Sequence, residues 1–226
     1  MKMNKLLVLA FKHTHENQME HFRSFNDKME GIFISDISNL KKMYDEYTKD
    51  LDENHEYKHY IDEDFGERYS NIEHQINNIY RRSLITSIYS YLEVSLARIT
   101  KRCFSISNTP YPKKNHLSII ELYKDALEKE RLVDFSKVNN EWNFISDARK
   151  IRVLITHRNG MVNSIKKDNY DTDIEDIAAL NIGISVRDGD LIVDSNYLTE
   201  LIKCIDSFLM HTINESFSNL VFAPKN

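Results

Sequence analysis

Glycine and proline are both scarce, with five and three in 226 residues. Such a chain has few places for tight turns, so long helices are expected. Cysteine is nearly missing: Cys103 and Cys204 are far apart, each in a helix-like stretch. That excludes a disulfide framework and points to a reducing compartment, the cytoplasm. No apolar run approaches the ~20 residues that a membrane-spanning helix needs. The opening "MKMNKLLVLAFKH" carries an apolar stretch of only about seven residues and no small-residue cleavage site, so it reads as an early helix or strand rather than a signal peptide. Also absent are G-x-G-x-x-G, the phosphate-binding G-x-x-x-x-G-K-[ST] and G-x-S-x-G, which leaves nucleotide cofactors and the common serine-hydrolase layout without support. With no internal repeat, low-complexity tract or break in composition, a single domain over residues 1–226 is expected.

Charge is present but unevenly spread. The net charge of −5 is the sum of −6 over residues 1–78, +7 over 79–158 and −6 over 159–226. A basic middle third within an acidic protein suits an anionic substrate better than general adhesion to nucleic acid. Solvated helix faces are the plain alternative.

Apolar spacing supplies the rest of the architecture. Met19, Phe22, Phe25, Met29, Ile32, Ile37, Leu40 and Tyr44 recur in steps of three and four, which predicts a long N-terminal helical region over 1–50 with an interruption near Gly31. The acidic stretch "DENHEYKHYIDEDFGERYS" reads as a connection. Ile72, Ile76, Ile79, Ile85, Ile88, Leu92, Leu96 and Ile99 predict a long central helix, ended before Pro110 and Pro112. "HLSIIELYKDALEKE" and "VNNEWNFISDARKIRVLITHRNG" predict two more, the second closed by Gly160. In "NIGISVRDGDLIVD" the period changes to two. Residues 182–186 and 191–194 are expected to pair as a β-hairpin around Arg187–Asp190, with Gly189 at positive φ. Leu198, Leu201, Ile205, Phe208 and Leu209 form the core face of a closing helix. The expected fold is mainly α: a helical bundle with a small hairpin before the C-terminal helix.

Two stretches could carry chemistry. "HEYKH", His55 to His59, matches H-E-x-x-H, in which histidines four apart on a helix grip zinc and the glutamate acts as base. Its acidic, loop-like setting, the intruding Lys58 and the missing apolar stripe argue for a chance match. "HTHE" at His13–Glu16, with His21 nearby, has no helical metal spacing and reads as surface. No metal and no cofactor are expected.

The other stretch is "RKIRVLITHRNG". Arg152 is followed five residues later by His157, at a helix end and before Arg158-Asn159-Gly160. This resembles the R-x4-6-H motif of the HEPN superfamily, and the helix "RRSLITSIYSYLEVSLARI", with its Tyr and Leu-Glu pair, is similar to the superfamily's central helix. The resemblance covers roughly residues 72–215, with 71–220 as the expected HEPN-like core. One departure is Val153, where many members carry a polar residue, often Asn. Asn159 stands where one toxin–antitoxin branch has Tyr, so control by modification of that Tyr is not implied.

The resemblance implies a metal-independent endoribonuclease in a toxin or antiviral defence role. It would be a homodimer with paired motifs across the two-fold axis and an antitoxin or regulatory partner. The alternative is a non-catalytic module binding RNA or protein. The chemistry has its own logic: RNA carries its nucleophile, the 2′-OH, and imidazole suits proton transfer while a guanidinium suits phosphate oxygens. Arg152 and His157 are the candidate catalytic pair, with Arg149, Lys150, Arg158 and Asn159 as RNA-binding candidates. Five residues turn an ideal helix by about 140°, so one helix does not aim both members of the pair at one phosphate.

Overall fold

The computed structural model describes residues 2–52, 55–113, 116–162, 169–180 and 182–220, with side chains from residue 5 onward and, in the helix beginning at Asn169, from residue 172. Helix α1 spans Lys2–Thr48 without a break. Gly31 does not interrupt it, because one glycine in a long amphipathic helix costs only about 1 kcal/mol and packing on either side outweighs that. Its buried stripe also differs from the expected one. His15, Met19, Asn26, Phe33 and Leu40 face inward, while Phe25 and Ile32 are 50% and 42% exposed. Two polar residues, His15 and Asn26, hold positions that apolar spacing alone could not assign.

The acidic stretch expected to be a connection is helix α2, Glu56–Ser70. It folds back on α1, with Phe65 against Tyr44 and Tyr47. Phe65 is the one buried residue of α2, so its anchoring is aromatic and sparse, which is why the run looked purely polar. A π-helical turn, Asn71–Ile76, joins α2 to α3, Asn77–Ser107.

Helix α3 is the centre of the bundle. Ile85, Ile88, Leu92, Leu96 and Ile99 are buried as expected, but Ile76 and Ile79 are 47% and 65% exposed. The wider π turn rotates the face, and Asn77, Asn78 and Arg81 take the inward positions instead. Asn108, in the left-handed conformation at φ 56°, ends α3 ahead of the two prolines.

A capping box between Ser118 and Glu121 starts α4, Ile119–Lys129. Helix α5 runs Asn139–Arg158 after a short 3-10 turn at Phe135–Val138. Helix α6, Asn169–Ala179, went unanticipated; Ile174 and Ile177 are its buried residues. Strands β1 (Ile184–Arg187) and β2 (Asp190–Val193) pair antiparallel in the expected place, from Ile184 with Val193 to Arg187 with Asp190. The turn is tighter than expected, just Asp188 and Gly189 at φ 52° and 81°, the pair of positive values that a type I′ hairpin requires.

Helix α7, Ser195–Asn219, closes the structure with every expected core residue buried. It packs on α1, α3 and α5, and one apolar cluster runs from Met19 through α3, α4 and α5 to Leu220. No helix among the described residues is long and apolar enough to cross a membrane.

A Cβ at Gly31 would meet nothing within 4 Å. Gly31→Ala should therefore raise stability by about 0.5–1 kcal/mol, through the unfolded state's lost freedom. Urea denaturation checks this; a lower midpoint would mean that α1 bends there in solution.

Candidate functional site

Helix α5 and its C-cap Asn159 carry the candidate set, and the helix C-terminus is set by a clamp. Asn159 leaves the helix at φ 51° and Gly160 follows at φ 79°. The strand-like segment beyond then joins the hairpin: the Leu191 amide donates to Gly160 O at 2.9 Å and the Val162 amide to Gly189 O at 2.8 Å. Arg82, from α3, crosses this junction. Its Nη1 donates to Asn159 O at 2.8 Å and its Nε to Leu191 O at 3.0 Å, with Nη2 bonded to the same Leu191 carbonyl. A Cβ on Gly160 would sit 2.6 Å from the Arg82 Cζ, so any larger residue here must displace the guanidinium as well as adopt a positive φ.

Two neighbours extend the clamp along β2. Asn78 donates to Leu191 O and accepts from the Val193 amide, at 2.8 and 3.2 Å. Arg81 donates to Val193 O at 3.0 Å and holds Glu30 of α1 through two bonds of 2.8 and 2.7 Å. Sequence reasoning missed all three residues. The available signal was "NNIYRRS", paired amides and guanidiniums at helical spacing on what should have been an apolar face.

The predicted residues point in different directions. Arg152 lies in the seam between α5 and α3. Its guanidinium sits 5.9 Å from the Tyr89 ring centre and 3.9 Å from a Glu93 oxygen, and its buried Nε has no hydrogen-bond partner. Tyr89 is 1% exposed with its hydroxyl likewise unpartnered. Burial, then the nearby Glu93 carboxylate, push its phenol well above the ordinary range, so it stays protonated.

Arg149 reaches toward Glu121 at 3.9 Å. Lys150 lies 3.5 Å from Asp147 and 3.6 Å from Asp173 of α6. The basic field expected over this segment is thus partly met by carboxylates of α4, α5 and α6. Arg158 is half-buried and Asn159 exposed. His157 is exposed in the last turn of α5 and makes no hydrogen bond or ion pair among the described residues. Arg152 and His157 are separated as the helical angle requires. Within one chain the structure holds Arg152 in a half-buried seam and leaves His157 at the surface.

The H-E-x-x-H stretch is helical rather than loop-like from Glu56 onward. His55 is the N-cap residue of α2, its Nδ1 accepting from the Tyr57 amide at 3.3 Å, and both His55 and His59 are exposed. Among the described residues no three His, Cys, Asp or Glu side chains gather as a metal would need. Cys103 and Cys204 are free, and burial pushes each thiol up to about 11.

The clamp gives a stability test. Gly160→Ala should cost about 2 kcal/mol, from the positive φ and the displaced guanidinium together. Arg82→Met should cost a similar amount, since the Leu191 and Asn159 carbonyls lose a charged donor. Denaturation midpoints report the loss, and amide exchange at Val162 and Leu191 should accelerate in both variants. Wild-type exchange rates at those two amides would show that the clamp does not hold the junction.

In comparisons with protein-family models, with curated proteins and with solved structures, nothing matches this chain.

Proposed function

We propose that this chain is a metal-independent endoribonuclease of HEPN type, acting as a two-fold homodimer. The observation that carries the reading is the placement of His157: an exposed imidazole without a partner among the described residues, at a helix end held by Arg82 and Gly160. A rigidly mounted, uncommitted imidazole is what proton transfer at a substrate asks for. Arg152 adds a guanidinium whose Nε lacks an acceptor, one turn and a half away.

A two-fold axis beside the end of α5 would bring two such histidines and two arginines to one phosphate. One His157 takes the proton of the 2′-OH as its oxygen attacks phosphorus. The bond from phosphorus to the 5′-oxygen breaks, and the other His157 returns a proton to that oxygen. The products are a 2′,3′-cyclic phosphate and a 5′-hydroxyl. Arg152 would stabilise the charge that builds on the phosphorane oxygens. Arg149, Lys150, Arg158 and Asn159 would line the RNA path, the first two exchanging their present carboxylate neighbours for phosphates. A toxin or antiviral defence setting, with an antitoxin or regulatory partner, is what the HEPN resemblance implies.

A second reading rests on its own observation. Glu93 stands 3.9 Å from Arg152, and Val153 follows the arginine where a polar residue would help aim it. An arginine already partnered by a carboxylate suits a non-catalytic dimer that grips RNA or protein.

Single-stranded RNA incubated with purified protein in EDTA should be cut, and mass spectrometry should find cyclic-phosphate ends. His157→Ala should slow cleavage by about a hundredfold or more, the scale of a lost general acid or base. Arg152→Lys should also be harmful, since an ammonium cannot make the fork-shaped contact. Unchanged cleavage by His157→Ala would sink the nuclease reading; binding without cleavage by the parent protein would favour the second.

A further inference from the structure

On the opposite side of α3 from Arg152, a cavity of about 230 Å³ opens between α1, α3 and α7. Tyr91 and Ser95 face it, while Tyr89 and Glu93 face α5, as the roughly 200° between residues two apart requires. Its body is apolar: Leu7 and Phe11 from α1, Ile99 from α3 and Ile213 from α7. Ala10, Thr14 and Ser95 are small where a larger side chain from either helix would fill the space. Ala10 and Thr14 are exposed, so the space is a half-open apolar groove that a small ligand can enter from the surface.

The polar end of the cavity is built rather than incidental. His15, only 2% exposed, forms part of the wall. Its Nδ1 meets the Tyr91 hydroxyl at 3.0 Å and its Nε2 meets Asp206 Oδ1 at 2.9 Å. Arg23 holds the other Asp206 oxygen. This chain locks the walls together and uses up both imidazole nitrogens, so His15 itself is not free to hold a ligand. The Ser95 hydroxyl is engaged with Tyr91, so what remains at the wall is the Thr14 hydroxyl and the exposed guanidinium of Arg98, which makes no ion pair among the described residues.

We infer that this cavity binds a small carboxylic acid with a compact apolar body, its ring or branched chain between Phe11, Ile99 and Ile213 and its carboxylate at Arg98. Size sets the class. A dry cavity of about 150 Å³ accepts benzene, so the present volume takes a phenyl ring with two or three further carbons. The carboxylate then reaches the mouth, where a guanidinium meets it in its preferred forked geometry. Charge sets the sign: among the described residues that line the cavity, Arg98 is the charged group without an ion pair, and it is a cation.

The probe is 3-phenylpropionate, with 3-phenylpropan-1-ol as its uncharged counterpart, titrated calorimetrically into the full chain. The acid should bind one per chain with a dissociation constant below about 1 mM. Arg98→Gln should weaken the acid about tenfold or more and leave the alcohol unchanged, because only the acid uses the guanidinium. Ser95→Phe should abolish binding of both by filling the space. Methyl resonances of Ile99 and Ile213 should shift on titration. Absence of binding at 10 mM acid (on the order of ten times the expected constant), equal affinity of Arg98→Gln for the acid, or shifts confined to other methyls would each overturn the proposal. Should Ser95→Phe fail to fold, the Arg98→Gln comparison and the methyl shifts decide alone.

Discussion

A two-stranded hairpin is at best marginal in water, and here it stands because the first turns of α3 are bonded to it. Asn78, Arg81 and Arg82 satisfy carbonyls and an amide along β2 that would otherwise face the bundle without partners. The same three residues fix the exit of α5 through Asn159 and tie α1 in through Glu30. Three pieces of the chain therefore depend on one polar patch at the head of an otherwise apolar helix. Buried charge of this kind adds less to net stability than to uniqueness of arrangement: the Arg81–Glu30 pair loses hydration from both partners, but no sliding of α1 or β2 would preserve its bonds.

How much of this could be read from the residues follows from what kind of force made each element. Helices held by apolar stripes were legible: α7 and the middle of α3 have the buried faces that their spacing predicts. The hairpin was legible because Asp188-Gly189 supplies a backbone chemistry that few other pairs can. Elements held by other forces were not. Helix α2 is anchored by Phe65 alone among its buried residues, too little for a periodic signal. The head of α3 is polar inside and apolar outside, the reverse of the usual rule. A hint lay in the six-residue step from Ile79 to Ile85, which breaks helical spacing where the inward face passes to Asn78 and Arg81. Helix α6 has two buried isoleucines and an acidic remainder, and its charges resemble those of a loop.

The candidate site divides along the same line. That Arg152 and His157 would diverge was visible from helix geometry. What each would meet was not, because the answers lie on other helices. Glu93 and Glu121 belong to α3 and α4, and Asp173 to α6. A segment with a surplus of seven positive charges thus becomes, once folded, a surface on which several of those charges already have carboxylate neighbours. Net charge along a sequence says what a segment brings to the fold, and only the packing decides how much of it stays available to a ligand.

The pairing of α1 with α7 sets an order of assembly. His15 and Asp206 are 191 residues apart in the chain, and the contacts around them cannot form until nearly all of the described chain is available. Helices α3, α4 and α5 are near neighbours and can condense first on local contacts. During that interval α1, 47 residues long, meets α3 only through contacts such as Phe33 and Phe25 on Tyr80 and Phe22 on Tyr91, while its larger interface with α7 is unmade. The part of its apolar stripe that α7 covers is open to other chains until α7 arrives. The concentration of newly made protein, more than the stability of the finished bundle, then governs how much of it folds rather than aggregates.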